Sequence, residues 1–207
     1  MNNNSLPETQ DDIRASHQGS LITLLEEAHY LAGKRNPSIS RDTFLSALAG
    51  SGNITQAIAA ALLTTGKMHA PLNETRQLFN LFRRNPEMAR QAVREALSDG
   101  MKIPGVGNSF FKDSIDPSFR DIKEAYEEVY ALIYPKSPIS ILDGFTEMVN
   151  SEIAAKKEPE SFLYANAAGI TAAVMELFLA PPYFENWVFI SGRTRAWIEL
   201  AINPPES

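Results

Sequence analysis

Apolar residues recur along almost the entire chain at the three-to-four-residue spacing of helices that bury one face. Leu21, Leu24, Leu25, Ala28 and Leu31 form the first such stripe, and Gly33 is its expected stop. Ser40 is placed to cap a short helix carrying Phe44, Leu45 and Leu48. An alanine-rich helix follows from Asn53 to about Thr65, and its Ala57, Ala60 and Ala61 let neighbouring helices approach closely. After a turn containing His69 and Pro71, Asn73 opens a helix with Leu78, Phe79 and Phe82. Asn85-Pro86 reads as N-cap and first residue of the next helix, which ends near Gly100. Residues 103–114 read as a glycine-containing loop. Asp116-Pro117 starts a helix whose face is Phe119, Ile122, Ala125, Val129 and Ile133, with Pro135 as its end. Residues 138–155 present Ile141, Leu142, Phe145, Val149 and Ile153 as one stripe. A charged joint, 156–160, leads to an apolar helix over 161–179, a break at Pro181-Pro182 and a last helix over 183–202. There is no alternating strand series and no internal repeat. The pattern predicts an all-α bundle.

Composition narrows the classes. A chain of 207 residues can bury a substantial core as one domain or two small ones. The net charge of −6 argues against a nucleic-acid surface. No apolar run approaches the roughly 20 residues needed to cross a bilayer, so no membrane partner is expected. The absence of cysteine excludes disulfides, thiolate metal sites and cysteine nucleophiles, and fits a cytoplasmic protein. His17 and His29 lack metal-ligand spacing, so no metal site is expected; His29 reads as a helix residue and His17 as tail. The first residues are polar and acidic, unlike a signal or transit peptide. Residues 1–18 read as a flexible tail and 19–203 as the folded domain. The run Glu124 to Tyr130 reads as a solvated helix face, and the aromatic stretch Pro181 to Phe189 as core packing.

Three blocks carry candidate chemistry. The first is GKMHAPLNETR, Gly66 to Arg76, with a histidine followed four residues later by an asparagine. It resembles the active-site turn of citrate synthases, G-P-L-H-G-G-A-N-E, with Gly66, His69, Asn73 and Glu74 at matching positions. The second is KIPGVGNSFFKDSIDPS, Lys102 to Ser118. It resembles the family's I-P-G-F-G-H-R-V-Y-K-x-x-D-P-R through Ile103, Pro104, Gly105, Gly107, Lys112, Asp116 and Pro117, with one extra residue before the Asp-Pro pair. The third, Phe162 to Pro182 followed by SGRTRAWIELA, is similar to the family's L-Y-P-N-V-D-F-Y-S-G and A-R-T-x-G-W-I-A-H helices. Leu163, Tyr164, Asn166, Pro181, Arg193, Thr194, Trp197 and Ile198 match.

The resemblance covers about residues 20 to 202 and implies a citrate synthase-like helical fold. It implies mainly the small coenzyme-binding domain, about 73–165, with flanks 19–72 and 166–203 as the remnant of a large domain. It implies that Ile103, Pro104, Gly105, Val106, Gly107 and Lys112 wrap the adenine end of coenzyme A. It implies acid-substrate contacts from Arg193, Asn73 and position 118, and enol stabilisation by His69.

The departures are equally specific. The family histidine that polarises the ketone is Asn108 here, which donates a neutral hydrogen bond but supplies no proton. The arginine after Asp-Pro is Ser118. The aspartate that removes the α-proton of the thioester falls at Ala168, by ungapped counting from Pro181 and Arg193. A thioester α-proton is a very weak acid and needs a positioned base. Arg193 has a second reading, an ordinary ion pair with Glu199 or Glu185.

Three functions follow, in this order. The first is a non-catalytic or regulatory relative that binds coenzyme A thioesters, with no tightly bound cofactor. The second is a citryl-CoA lyase or synthase-type carbon–carbon enzyme acting on acyl-CoA and small carboxylic acids. The third is a structural partner of a longer paralogue. Family members carry a large N-terminal helical part that this chain lacks, which implies a homodimer or a heteromer with such a paralogue.

Overall fold

Nine α-helices and no strand occur among the described residues of the computed structural model, which are 10–36, 38–64, 71–111, 114–130, 138–156, 162–178, 180–181 and 184–203. The helices are α1 (Gln10–Arg35), α2 (Ile39–Ser51), α3 (Ile54–Leu63), α4 (Leu72–Arg84), α5 (Pro86–Ser98), α6 (Pro117–Tyr130), α7 (Pro138–Ala155), α8 (Ala167–Leu177) and α9 (Phe184–Ile202). The all-α expectation therefore holds. His69, Lys112, Ile133 and Pro135 lie outside the described residues.

Helix α8 is the axis of the bundle. Ile170, Thr171, Ala172, Ala173, Val174 and Met175 are all buried, so the helix is enclosed on every side. A helix apolar all round has no face to give to water and packs at the centre. Helices α4, α6, α7 and α9 surround it. Phe79 of α4, Ile122 and Tyr126 of α6, and Leu142 and Phe145 of α7 fill the space between them, with Phe79 and Phe82 set edge-on against Phe145. The α2–α3 hairpin forms a smaller core on α9, where Phe44 stacks on Trp197 with centroids 5.9 Å apart.

Helix α1 runs against α9, and this contact corrects two expectations. Gly33 is inside α1 and does not end it; a β-carbon there would lie 2.9 Å from Arg193 Cδ and 3.0 Å from Ala196 Cβ. The glycine serves close helix approach, as does Gly192 on the opposite side, whose β-carbon would meet Glu26 O at 2.5 Å. Helix α1 also begins at Gln10, so residues 10–18, His17 included, are helical where the sequence suggests a tail.

Capping refines other boundaries. Ser38, not Ser40, is the N-cap of α2: its hydroxyl accepts from Arg41 N at 3.2 Å, while Ser40 is buried in the first turn. Asn85 caps α5 with Pro86 at the first position, as its sequence predicts. Residues 162–166 are not helical but form an extended lead-in, and Asn166 caps α8 through Ala168 N and Gly169 N.

Candidate functional site

The glycine loop 103–107 is fixed by that extended segment. Gly107 N donates to Tyr164 O at 2.8 Å, Asn166 N donates to Gly105 O at 3.1 Å, and Asn166 Nδ2 donates to Gly107 O at 2.7 Å. Val106 and Ala165 form an isolated antiparallel bridge. The segment is itself held by α7, because Asn150 exchanges two hydrogen bonds with the backbone of Leu163. Both loop glycines need their conformational freedom: φ is +87° at Gly105 and +74° at Gly107. Gly105 also sits against α8, and a β-carbon on Gly169 would lie 2.4 Å from Gly105 O.

A cleft of about 720 Å³ opens beside the loop. It is walled by residues 103–108, by Pro71 and Glu74 at the start of α4, by Ser118, by Ala167 and Ala168, and by Phe189 and Arg193 of α9. Of the residues singled out in the sequence, Ile103, Pro104, Gly105, Val106, Gly107, Asn108, Ser118, Ala168 and Arg193 thus share one concavity, although they come from four regions of the chain. Asn73 does not line it, although its neighbour Glu74 does.

Asp116 organises the floor. It is buried, and its Oδ1 accepts from Ser118 N at 2.8 Å. Its Oδ2 accepts from Asn108 Nδ2 at 3.0 Å and from Ala167 N at 3.4 Å. Asn108 is held at its other end too, because Oδ1 accepts from Phe110 N at 2.9 Å. Asn108 is therefore a loop fastener. Ser118 Oγ accepts from Asn36 Nδ2 at 3.0 Å, tying the end of α1 to the same floor.

Arg193 is the notable charge. It is 4% exposed and lines the cleft, and its Nε and Nη1 have no hydrogen-bond partner among the described residues. Its guanidinium lies 5.4 Å from the Phe189 ring centroid. Burial lowers its pKa to about 10, opposed by the attraction of Asp116, so it stays ionised at neutral pH. The ion pairs suggested by the sequence do not form. Glu199 takes Tyr30 and Lys34 instead, and Glu185 takes Arg76 at 3.0 Å.

Two contributors escape the sequence reading. Arg76 joins α4 to the α8–α9 connection, donating to Ala180 O, Pro181 O, Glu176 and Glu185. His29 is buried against the edge of Phe189, with centroids 5.3 Å apart. The Thr171 hydroxyl donates to Ala167 O, so it accepts from His29 Nε2 at 2.9 Å, which leaves Nδ1 an acceptor without a partner among the described residues. Burial, reinforced by the Arg193 charge, lowers the His29 pKa from 6.5 to about 3. A signal was present: Leu25, Ala28, His29 and Ala32 share one helical stripe, which places the histidine on the buried face.

No family model and no curated protein matches the chain. Solved structures do. Citryl-CoA lyase from Hydrogenobacter thermophilus matches with a TM-score of 0.59 at 20% identity, over 96% of this chain and 78% of the lyase. Citrate synthase from Thermotoga maritima MSB8 matches with a TM-score of 0.62 at 20% identity, over 88% of this chain and 48% of the synthase. ATP citrate lyase from Methanothrix soehngenii, solved with citrate and coenzyme A, matches with a TM-score of 0.62 at 16% identity, over 91% of this chain and 31% of that one. The chain thus has the citrate synthase-like fold. It spans most of the citryl-CoA lyase, about half of the synthase and about a third of the ATP citrate lyase.

Proposed function

We propose that this chain binds a coenzyme A thioester against the glycine loop 103–107 and does not carry out the proton abstraction of citrate formation. The observation behind this reading is the composition of the cleft. Ala168 stands where the resemblance places the base, and the buried carboxylate that lines the same cleft, Asp116, already accepts three hydrogen bonds. Its oxygens are committed to Asn108 and to the backbone of Ser118 and Ala167, which makes it part of the scaffold of the cleft. Asn108, fastened to Asp116 through one N–H and to Phe110 N through its carbonyl, has a neutral N–H left to donate but no proton to give.

The test is calorimetric titration with coenzyme A and acetyl-CoA, alongside an assay for citrate from acetyl-CoA and oxaloacetate. Saturable binding below millimolar concentration with no citrate supports the reading; no binding, or robust citrate formation, overturns it. Replacing Gly105 is a poor probe of the loop, because a β-carbon would meet Thr75 Cγ2 at 2.6 Å and disturb the fold. The exposed Lys102 is better: Lys102→Glu weakens coenzyme A binding several-fold if the loop faces its phosphates.

A lyase reading is supported by the match over 78% of the citryl-CoA lyase. Cleavage of citryl-CoA by the protein alone would favour it over a non-catalytic role. Either protein is expected to self-associate or to join a longer paralogue, because Trp187, Ile190 and Ile198 are exposed along α9.

A further inference from the structure

The cleft, read above as the ligand site, carries a narrower specificity, which deepens that proposal. We infer that it takes a carboxylic acid with a single carboxylate and an apolar body, and rejects di- and tricarboxylates. Two independent features support this. One is the charge inventory of the walls. Arg193 is the buried cation there, with two donors unpartnered among the described residues, and it calls for one anionic group. The other titratable groups among the described lining residues are Asp116, Glu74 and the exposed Lys102. A second or third carboxylate would meet two acids and, among the described lining residues, no further buried cation, and like charges in a partly desolvated cleft repel. Ser118 takes the place of an arginine, and its hydroxyl, which accepts from Asn36, has its proton left to offer the same single carboxylate.

The second feature is the apolar path leading away from Arg193. Phe189, Ala167, Ala168, Val106 and Ile103 line the inner cleft. At the rim, Ile39, Met101 and Phe110 are 43%, 56% and 42% exposed. Ile39 and Phe110 also border a shallow depression of about 610 Å³ that runs on along α2 past Thr43, Ser46 and Ala47, where Asp42 adds a further acid to the rim. Alanine at 168 removes a charge from this path and leaves a methyl group, so the same residue that ends one chemistry favours an aliphatic ligand. A pocket with few polar groups and apolar walls recognises its ligand by that combination.

The experiment is calorimetric titration of the full chain with acetate, hexanoate, succinate and citrate at neutral pH and fixed ionic strength. Hexanoate is expected to bind at least tenfold more tightly than acetate, succinate or citrate. Arg193→Met is expected to lower hexanoate affinity at least tenfold, and the neutral Phe110→Asn to lower hexanoate affinity while leaving acetate unchanged. Circular dichroism of both variants checks that the helices persist. Tighter binding of citrate or succinate, unchanged hexanoate binding in Arg193→Met, or no carboxylate binding at all overturns the inference. Coenzyme A affinity is read in a separate titration, so its loss would sink the thioester proposal while the hexanoate result stands.

Discussion

At the scale of single residues, Arg193 and His29 show polar groups held in the interior at a cost. The folded protein lowers the Arg193 pKa from 12.5 to about 10, a penalty of roughly 3 kcal/mol on its charged form. Arg193→Met removes that penalty and leaves Asp116 with its three hydrogen bonds, so chemical denaturation at neutral pH should show a gain of about 1–3 kcal/mol. A loss would mean that Arg193 holds the fold rather than awaiting a ligand. His29 makes a prediction about acid. Its folded pKa of about 3 lies below the 6.5 of the unfolded chain, so unfolding takes up a proton between those values. Stability should fall as the pH is lowered through that window, by up to about 1.4 kcal/mol per unit. In His29→Gln, which keeps a donor for Thr171, the stability–pH curve should be flatter there; identical slopes would refute the assignment. The helical stripe places His29 on a buried face, but the sequence does not reveal that Phe189 and Arg193 lie against it. Arg193 is recognisable by resemblance, but its lack of a partner depends on where Glu185 and Glu199 find theirs.

At the scale of elements, the sequence predicts where helices lie better than why they stop. Periodicity locates α4 to α7 closely, since each buries one stripe. Gly33 is misread because a glycine that permits helix contact looks the same, in sequence, as one that ends a helix. The run from 161 is misread because its apolar residues suit an extended lead-in as well as a helix, and only the pairing with 103–107 decides. Two glycines test this distinction. Gly169→Ala would press a methyl group into Gly105 O and should destabilise by about 1–3 kcal/mol, read by thermal or chemical unfolding. Gly50, inside α2, has nothing within 4 Å of its would-be β-carbon. Gly50→Ala should therefore stabilise by about 0.5–1 kcal/mol through helix propensity. If both substitutions moved stability in the same direction, the packing account of Gly169 would fail.

At the scale of the whole molecule, the bundle is legible because an all-helical chain must bury several stripes together. The cleft is less so. Its walls come from α4, the glycine loop, the start of α8 and the middle of α9, and nothing local in the sequence says these converge. Resemblance to a known pattern supplies the convergence; it does not supply Asp116 as a fastener or His29 behind Phe189. The outer surface carries a further expectation. Trp187 and Ile190 are 50% and 36% exposed on α9, and Leu63 at the end of α3 is 87% exposed. Each fully buried large aliphatic side chain is worth roughly 1.5–3 kcal/mol, so pairing such surfaces favours association. Light scattering at micromolar concentration should report a species larger than the 22.9 kDa monomer, and Trp187→Glu should shift it downward. A monomer in both proteins would refute self-association through α9.

The bonds that join 103–107 to 164–166 also bear on how a ligand would arrive. A glycine loop with two residues at positive φ would ordinarily sample many shapes, and a ligand would have to select one of them. Here the loop is already stitched to its neighbour by three hydrogen bonds and propped from behind by Asn150. Little conformational freedom is left to lose on contact, so encounter and binding collapse into one step. Observed association rates would then climb in proportion to ligand concentration, without the plateau that marks a slow rearrangement.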